Sequence, residues 1–129
     1  MKTVLVDTNI ILRFLLKDHP KLSAEAKAII LDNTIMLDPV VVAETVWVLS
    51  SVYQHERETI TAILADFIAQ DAIQTPQKRV LLEALRLYGT TSFAYVDCWL
   101  LVTAKASAVQ LVSQDKKLAK EFQKATQLL

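Results

Sequence analysis

The chain contains a single glycine, Gly89, among its 129 residues. This excludes the dinucleotide fingerprint and the phosphate-cradling P-loop. Both need several glycines at fixed spacing, because the backbone itself approaches the phosphates. A single cysteine, Cys98, rules out an internal disulfide and a cysteine-based zinc site. With only His19 and His55, a multi-histidine metal centre is not expected either. No uncharged apolar run is long enough to span a bilayer. The apolar start at Met1–Val6 is interrupted by Asp7 and Arg13, with no small-residue cleavage site behind it, so no targeting segment is expected. Scarce cysteine and no membrane span fit a cytoplasmic setting.

Charge of one sign is also missing. Lysine plus arginine number 14 and aspartate plus glutamate 14, for a net charge of zero. Taken whole, that balance argues against a nucleic-acid binder. If four acids gather in one metal-filled pocket, 10 acids face 14 bases elsewhere, a modest basic excess compatible with RNA. Apolar residues make up 53% and charged residues 22%, which places the chain among globular proteins. Residues 1–129 are expected to form a single domain.

Strand-like and helix-like patterns alternate. Thr3–Val6 reads as a buried strand and Ile10–Lys17 as a helix broken at Asp18-His19-Pro20. Leu22–Leu31 reads as an amphipathic helix with Ser23 as its cap, and Thr34–Leu37 as a second strand. Asp38-Pro39 opens a helix running to about Tyr53. Glu56–Gln70 carries an apolar stripe at Ile60, Ile63, Leu64, Phe67 and Ile68. Ala72–Thr75 is a weak strand, and Lys78–Tyr88 a helix with Gly89 in the C-cap position. Phe93–Ala106 is an apolar helix, Val109–Val112 a strand and Lys116–Lys124 a helix, with Gln127–Leu129 open between a frayed end and an edge strand. The order predicts an α/β fold whose parallel sheet is covered on both faces, with its site outside the carboxyl ends of the strands.

Four acids meet that rule. Asp7 follows the first strand directly, and Asp115 stands three residues beyond Val112. Each alone is equally well explained as a helix cap. Glu44, within Val40–Leu49, and Asp97, within Phe93–Val102, have almost wholly apolar neighbours, the pattern of buried helices. A buried carboxylate needs a partner or a metal; for Asp97 a place in the first turn of a helix is the competing explanation. Four carboxylates in one pocket resist joint ionisation, and a hard divalent cation removes the conflict. Mg²⁺ or Mn²⁺, which prefer oxygen ligands, are the expected cofactors.

Val6-Asp7-Thr8-Asn9-Ile10 resembles the opening signature of PIN domains, and Ala43–Leu49, the helix opened by Asp97, and Leu111–Leu118 follow in that family's order. The length and order are similar to those of VapC-type toxins of bacterial toxin–antitoxin pairs. The resemblance implies an α/β/α sandwich with a mainly parallel sheet and Mg²⁺- or Mn²⁺-dependent endoribonuclease activity. It also implies a homodimer and a cognate antitoxin that blocks the site. Asp7, Glu44, Asp97 and Asp115 match the family's four acidic positions, and Thr8, Asn9 and Ser113 its polar supporting positions. The third motif departs from the pattern: Cys98-Trp99 follow Asp97 where members often have a small residue, and Ser92, Ala94 and Tyr95 supply no further acid. The alternative from another class is a PIN-like scaffold that binds protein or RNA without cutting. A phosphorelay receiver fits poorly, since Asp7 lacks an acidic neighbour.

For RNA phosphates the nearest bases are Arg13, Lys17, Lys116 and Lys117, each equally explicable as a solvated helix charge. Trp47 and Trp99 are expected in core or dimer packing rather than stacked on bases, Cys98 in the core, and the helices Ile10–Leu16 and Leu22–Leu31 either as core filling or as walls of a groove for a partner helix.

Overall fold

The computed structural model describes residues 2–127, with side chains up to residue 124. Three strands, β1 (Thr3–Leu5), β2 (Thr34–Met36) and β3 (Ile73–Gln74), form one parallel sheet in the order β1-β2-β3. Parallel pairing requires crossover connections. These are supplied by α1 (Thr8–Leu16) and α2 (Pro20–Asp32) between β1 and β2, and by α3 (Pro39–Ser51) and α4 (Arg57–Ile68) between β2 and β3. Beyond the sheet come α5 (Lys78–Thr90), α6 (Tyr95–Ala106) and α7 (Lys116–Gln127). The α/β class with a parallel sheet is as expected.

Alternation along the strands decides which sheet face is covered. Val4, Ile35 and Ile73 point into the core with α3, α4 and α5, where Leu37, Leu49, Ile60, Leu64, Ile68, Leu81 and Leu85 are fully buried. Each such side chain stabilises the fold by about 1.5–3 kcal/mol relative to exposure. Thr3, Leu5, Met36 and Gln74 point the other way and are exposed, Leu5 at 67%. Thr34, on the same face, is half-buried.

Four local expectations change. Val109–Val112 forms no strand; among the described residues β1 has no neighbour on its outer edge, and Val112 is 83% exposed. The run is β-rich, but Leu111 is drawn instead into a small second cluster with Leu101, Ala104, Leu118 and Phe122 that seats α7 on α6. Pro20 opens α2 rather than merely ending α1, and the cap is His19, whose Nδ1 accepts from Leu22 N at 3.2 Å, not Ser23. Gly89 lies inside α5 rather than capping it. A Cβ there would stand 2.7 Å from Thr61 Oγ1, so the glycine lets α5 approach α4, and the same hydroxyl donates to Leu85 O at 2.8 Å. Glu44 is exposed: α3 is apolar nearly all round, yet Val40, Glu44, Trp47 and Ser51, at helical spacing, face outward. The possible edge strand at Gln127–Leu129 reaches beyond the described residues.

With the one glycine used for packing, left-handed turns fall to residues with side chains. Lys17, Gln54, Gln77 and Ala108 have φ of 54°, 55°, 55° and 54°, all at helix ends or connections.

Candidate active site

β1 and β2 run parallel, so their carboxyl ends lie on one edge, where α1 and α3 begin. Asp7 leaves β1 as the N-cap of α1; its Oδ1 accepts from Ile10 N at 3.1 Å, and Oδ2 has no partner among the described residues. Thr8, buried in the first turn, turns its hydroxyl to α3 and donates to Glu44 Oε2 at 3.2 Å. This bond joins the first and second sequence motifs, 36 residues apart. Asp38 caps α3, accepting from Val40 N at 2.8 Å, and so sets Glu44 in the second turn. α3 also packs against α6, whose first turn carries Asp97, half-buried and without a hydrogen-bond or ion-pair partner among the described residues.

Three acids thus stand at the starts of α1, α3 and α6, each helix packed against the next. Asp115 stands apart from this succession. It begins α7, its Oδ1 accepting from Lys117 N at 2.9 Å and Leu118 N at 3.2 Å, while Ser113 Oγ accepts from Asp115 N at 3.0 Å. α7 is seated on the later turns of α6, at Leu101 and Ala104, rather than on the first turn that holds Asp97. Asn9 is exposed. Among the described residues no three Asp, Glu, His or Cys side chains are gathered as a set that could hold a metal ion.

The surroundings sort the remaining candidates. Arg13 is paired with Asp18 at 2.9 Å and its guanidinium pKa is raised by that bond, so it is not a free cation for phosphate; Lys17, Lys116 and Lys117 are exposed. Trp47 is 62% exposed rather than packed in the core, and Trp99 is half-buried against it. Between the starts of α3 and α6 lies an apolar crevice of about 140 Å³, lined by Val40, Ala43, Tyr95, Val96 and Trp99. Cys98 is buried, as expected; burial pushes its thiol up, a bond with Thr91 opposing.

One polar residue went unnoticed in the sequence. Arg57 opens α4, lays its guanidinium 3.8 Å from the Tyr88 ring centroid, donates from Nε to Tyr88 O at 2.8 Å and from Nη2 to Phe93 O. The available signal was a cation in the first turn of a helix, where the macrodipole disfavours it.

Residues 4–122 match the PIN domain family. The chain belongs to that family. No curated protein and no solved structure is a significant match. PIN domains are generally nucleases, so this is a nuclease-type fold, with no helix among the described residues long and apolar enough to cross a membrane. The donors at the starts of α1, α3 and α6 are all carboxylate oxygens, the chemistry that hard divalent cations take. Mg²⁺ is commonly held by one or two carboxylates with waters and substrate phosphate rather than by a closed protein cage. Glu44 and the uncapped oxygen of Asp7 are donors of that kind.

Proposed function

We propose that this PIN domain is a Mg²⁺- or Mn²⁺-dependent endoribonuclease, the toxin of a toxin–antitoxin pair, acting in the cytoplasm. The observation that carries the reading is the hydrogen bond from Thr8 to Glu44, which ties the strand-end motif bearing Asp7 to the second acidic motif within the PIN match. Asp7 and Asp97 would hold the metal directly or through water, while Asp115, apart at the start of α7, is a ligand on the family pattern alone and would need α7 to move toward them. Glu44 would orient or deprotonate the attacking water, or complete the metal's shell. When bound, such a cation polarises the phosphodiester and lowers the pKa of a water. Thr8 fixes the rotamer of Glu44, and Ser113 supports the turn carrying Asp115. In-line attack would leave a 5′-phosphate and a 3′-hydroxyl. Lys17, Lys116 and Lys117 are the exposed bases offered to RNA phosphates.

Two protein partners belong to the same reading. A cognate antitoxin would seat a helix against α1 and α2, whose crevice of about 240 Å³ is lined by Phe14, Ala24 and Leu31 with Lys17 and Lys27. A second copy would cover Val40, Trp47, Val96 and Leu100, the exposed apolar side chains on the two helices that carry Glu44 and Asp97.

The test is Mn²⁺ titration into partner-free wild type and Asp97→Asn, following cleavage of a mixed pool of structured RNAs. Metal-dependent cutting that disappears in the variant and under chelation supports the nuclease. Full activity in Asp97→Asn or in Asp7→Asn would sink the site assignment. Neither cutting nor metal binding by calorimetry would leave the non-catalytic scaffold.

A further inference from the structure

α6 begins without help of its own. Its N-cap is Ala94, which offers no side-chain hydrogen bond, and the turn before it, residues 91–94, has no regular structure. Yet this is the helix whose first turn carries Asp97, and a carboxylate must be held to within a few tenths of an ångström to serve a metal. The turn is pinned from outside. Arg57, from α4, donates to Phe93 O inside the turn and to Tyr88 O near the end of α5, with Tyr88's ring stacked on its guanidinium. Phe93 O also accepts the weak bond of the Cys98 thiol, and Cys98 N closes the first turn of α6 onto Ala94 O at 3.1 Å. Thr91 braces the other side, donating to Leu87 O at 2.8 Å and accepting from Phe93 N at 3.4 Å.

The guanidinium in this cluster has no acidic partner among the described residues, so it is not there to form an ion pair. Nor does α4 gain from a cation at its first position. The guanidinium's bonds to Tyr88 O and Phe93 O run to two different segments, a task for which the rigid planar fork suits arginine and not lysine.

We propose that Arg57 is the positioning residue for Asp97: bridging the end of α5 to the turn at Phe93, it fixes the direction of α6's first turn and so of the Asp97 carboxylate. The inference rests on the nuclease reading, in which Asp97 is a metal ligand.

The experiment measures Mn²⁺ affinity by calorimetry and amide exchange over residues 91–98 in wild type, Arg57→Lys, Arg57→Gln and Asp97→Asn. Ile60→Val, a core change on the same helix, reports what lost stability alone does. The expected result for Arg57→Lys is faster exchange confined to 91–98 and Mn²⁺ binding weaker by about tenfold, the size of effect seen when a ligand's supporting shell is removed. Arg57→Gln should be at least as weak, and Ile60→Val should bind as wild type. If Arg57→Gln does not fold, Arg57→Lys carries the comparison. Should Asp97→Asn abolish binding while Arg57→Lys binds as wild type, the inference fails and the nuclease reading stands. Should Ile60→Val weaken binding as much as Arg57→Lys, the effect is general stability and the inference fails. If wild type binds no Mn²⁺, both fall together.

Discussion

Thr8 and Tyr95 both bury a hydroxyl, but only that of Thr8 has a partner, Glu44; the Tyr95 hydroxyl has none among the described residues. Opposite outcomes follow when each is removed. Thr8→Val keeps the shape and frees Glu44 to change rotamer; with second-shell losses as the guide, activity should fall about 10- to 100-fold while the melting temperature changes little. Tyr95→Phe removes a desolvated group that makes no bond and should stabilise the fold by about 1 kcal/mol in denaturant unfolding. The same substitution changes the response to pH. Burial pushes the Tyr95 phenol above its ordinary range, so the fold favours the neutral form. A raised folded pKa contributes stability that is complete below the unfolded value, about 10 for tyrosine, and is lost as pH rises beyond it. Wild type should therefore lose stability as pH rises above about 10, and Tyr95→Phe should lose less, with Cys98, whose thiol burial also pushes up, contributing to the slope that remains. Denaturant midpoints at pH 8 and pH 10.5 measure both slopes.

At the scale of elements, Gly89→Ala is the informative change. In an open helix it would stabilise by roughly 0.5–1 kcal/mol. Here the new methyl meets Thr61 at 2.7 Å, so a loss of about 1–3 kcal/mol is expected by thermal unfolding, partly recovered by Thr61→Ala. The sequence alone suggested a cap at this position, because a glycine's neighbour across a helix pair cannot be seen from one chain's periodicity. Elements with local causes were legible: Asp38-Pro39 starts α3, Thr3–Leu5 is a strand, and α4 runs along its apolar stripe. Val109–Val112 was not, since a β-rich run becomes a strand only if an edge accepts it, and here Leu111 packs below α6 instead. The site was legible in part. Asp7 at a strand end follows from order alone. That Glu44 is exposed does not, because an all-apolar helix looks the same whether its outer face meets the core or water. Arg57 escaped because its acceptors, Tyr88 O and Phe93 O, are backbone carbonyls, which no residue letter encodes.

For the molecule as a whole, the outward faces of α3 and α6 present Val40, Trp47, Val96 and Leu100 around two acids. Val40 and Val96 border one crevice between the two helices. Under the dimer reading, light scattering at micromolar concentration gives twice the 14.5 kDa chain mass, and Trp47→Lys returns a monomer with unchanged circular dichroism. A monomeric wild type at that concentration would count against the second copy.

The four left-handed residues at Lys17, Gln54, Gln77 and Ala108 make this chain unusually improvable. Each holds a backbone geometry that costs a side-chain-bearing residue roughly 1–2 kcal/mol. Gln54, Gln77 and Ala108 are also solvent-facing and stand outside the residues assigned to metal, RNA or partner. Glycine or asparagine at those three joints would relax the turns without touching the core or the acids. A hardened version for crystallisation or prolonged assay is thus within reach of three surface changes, and its gain would measure how much tension a glycine-poor chain carries in its corners.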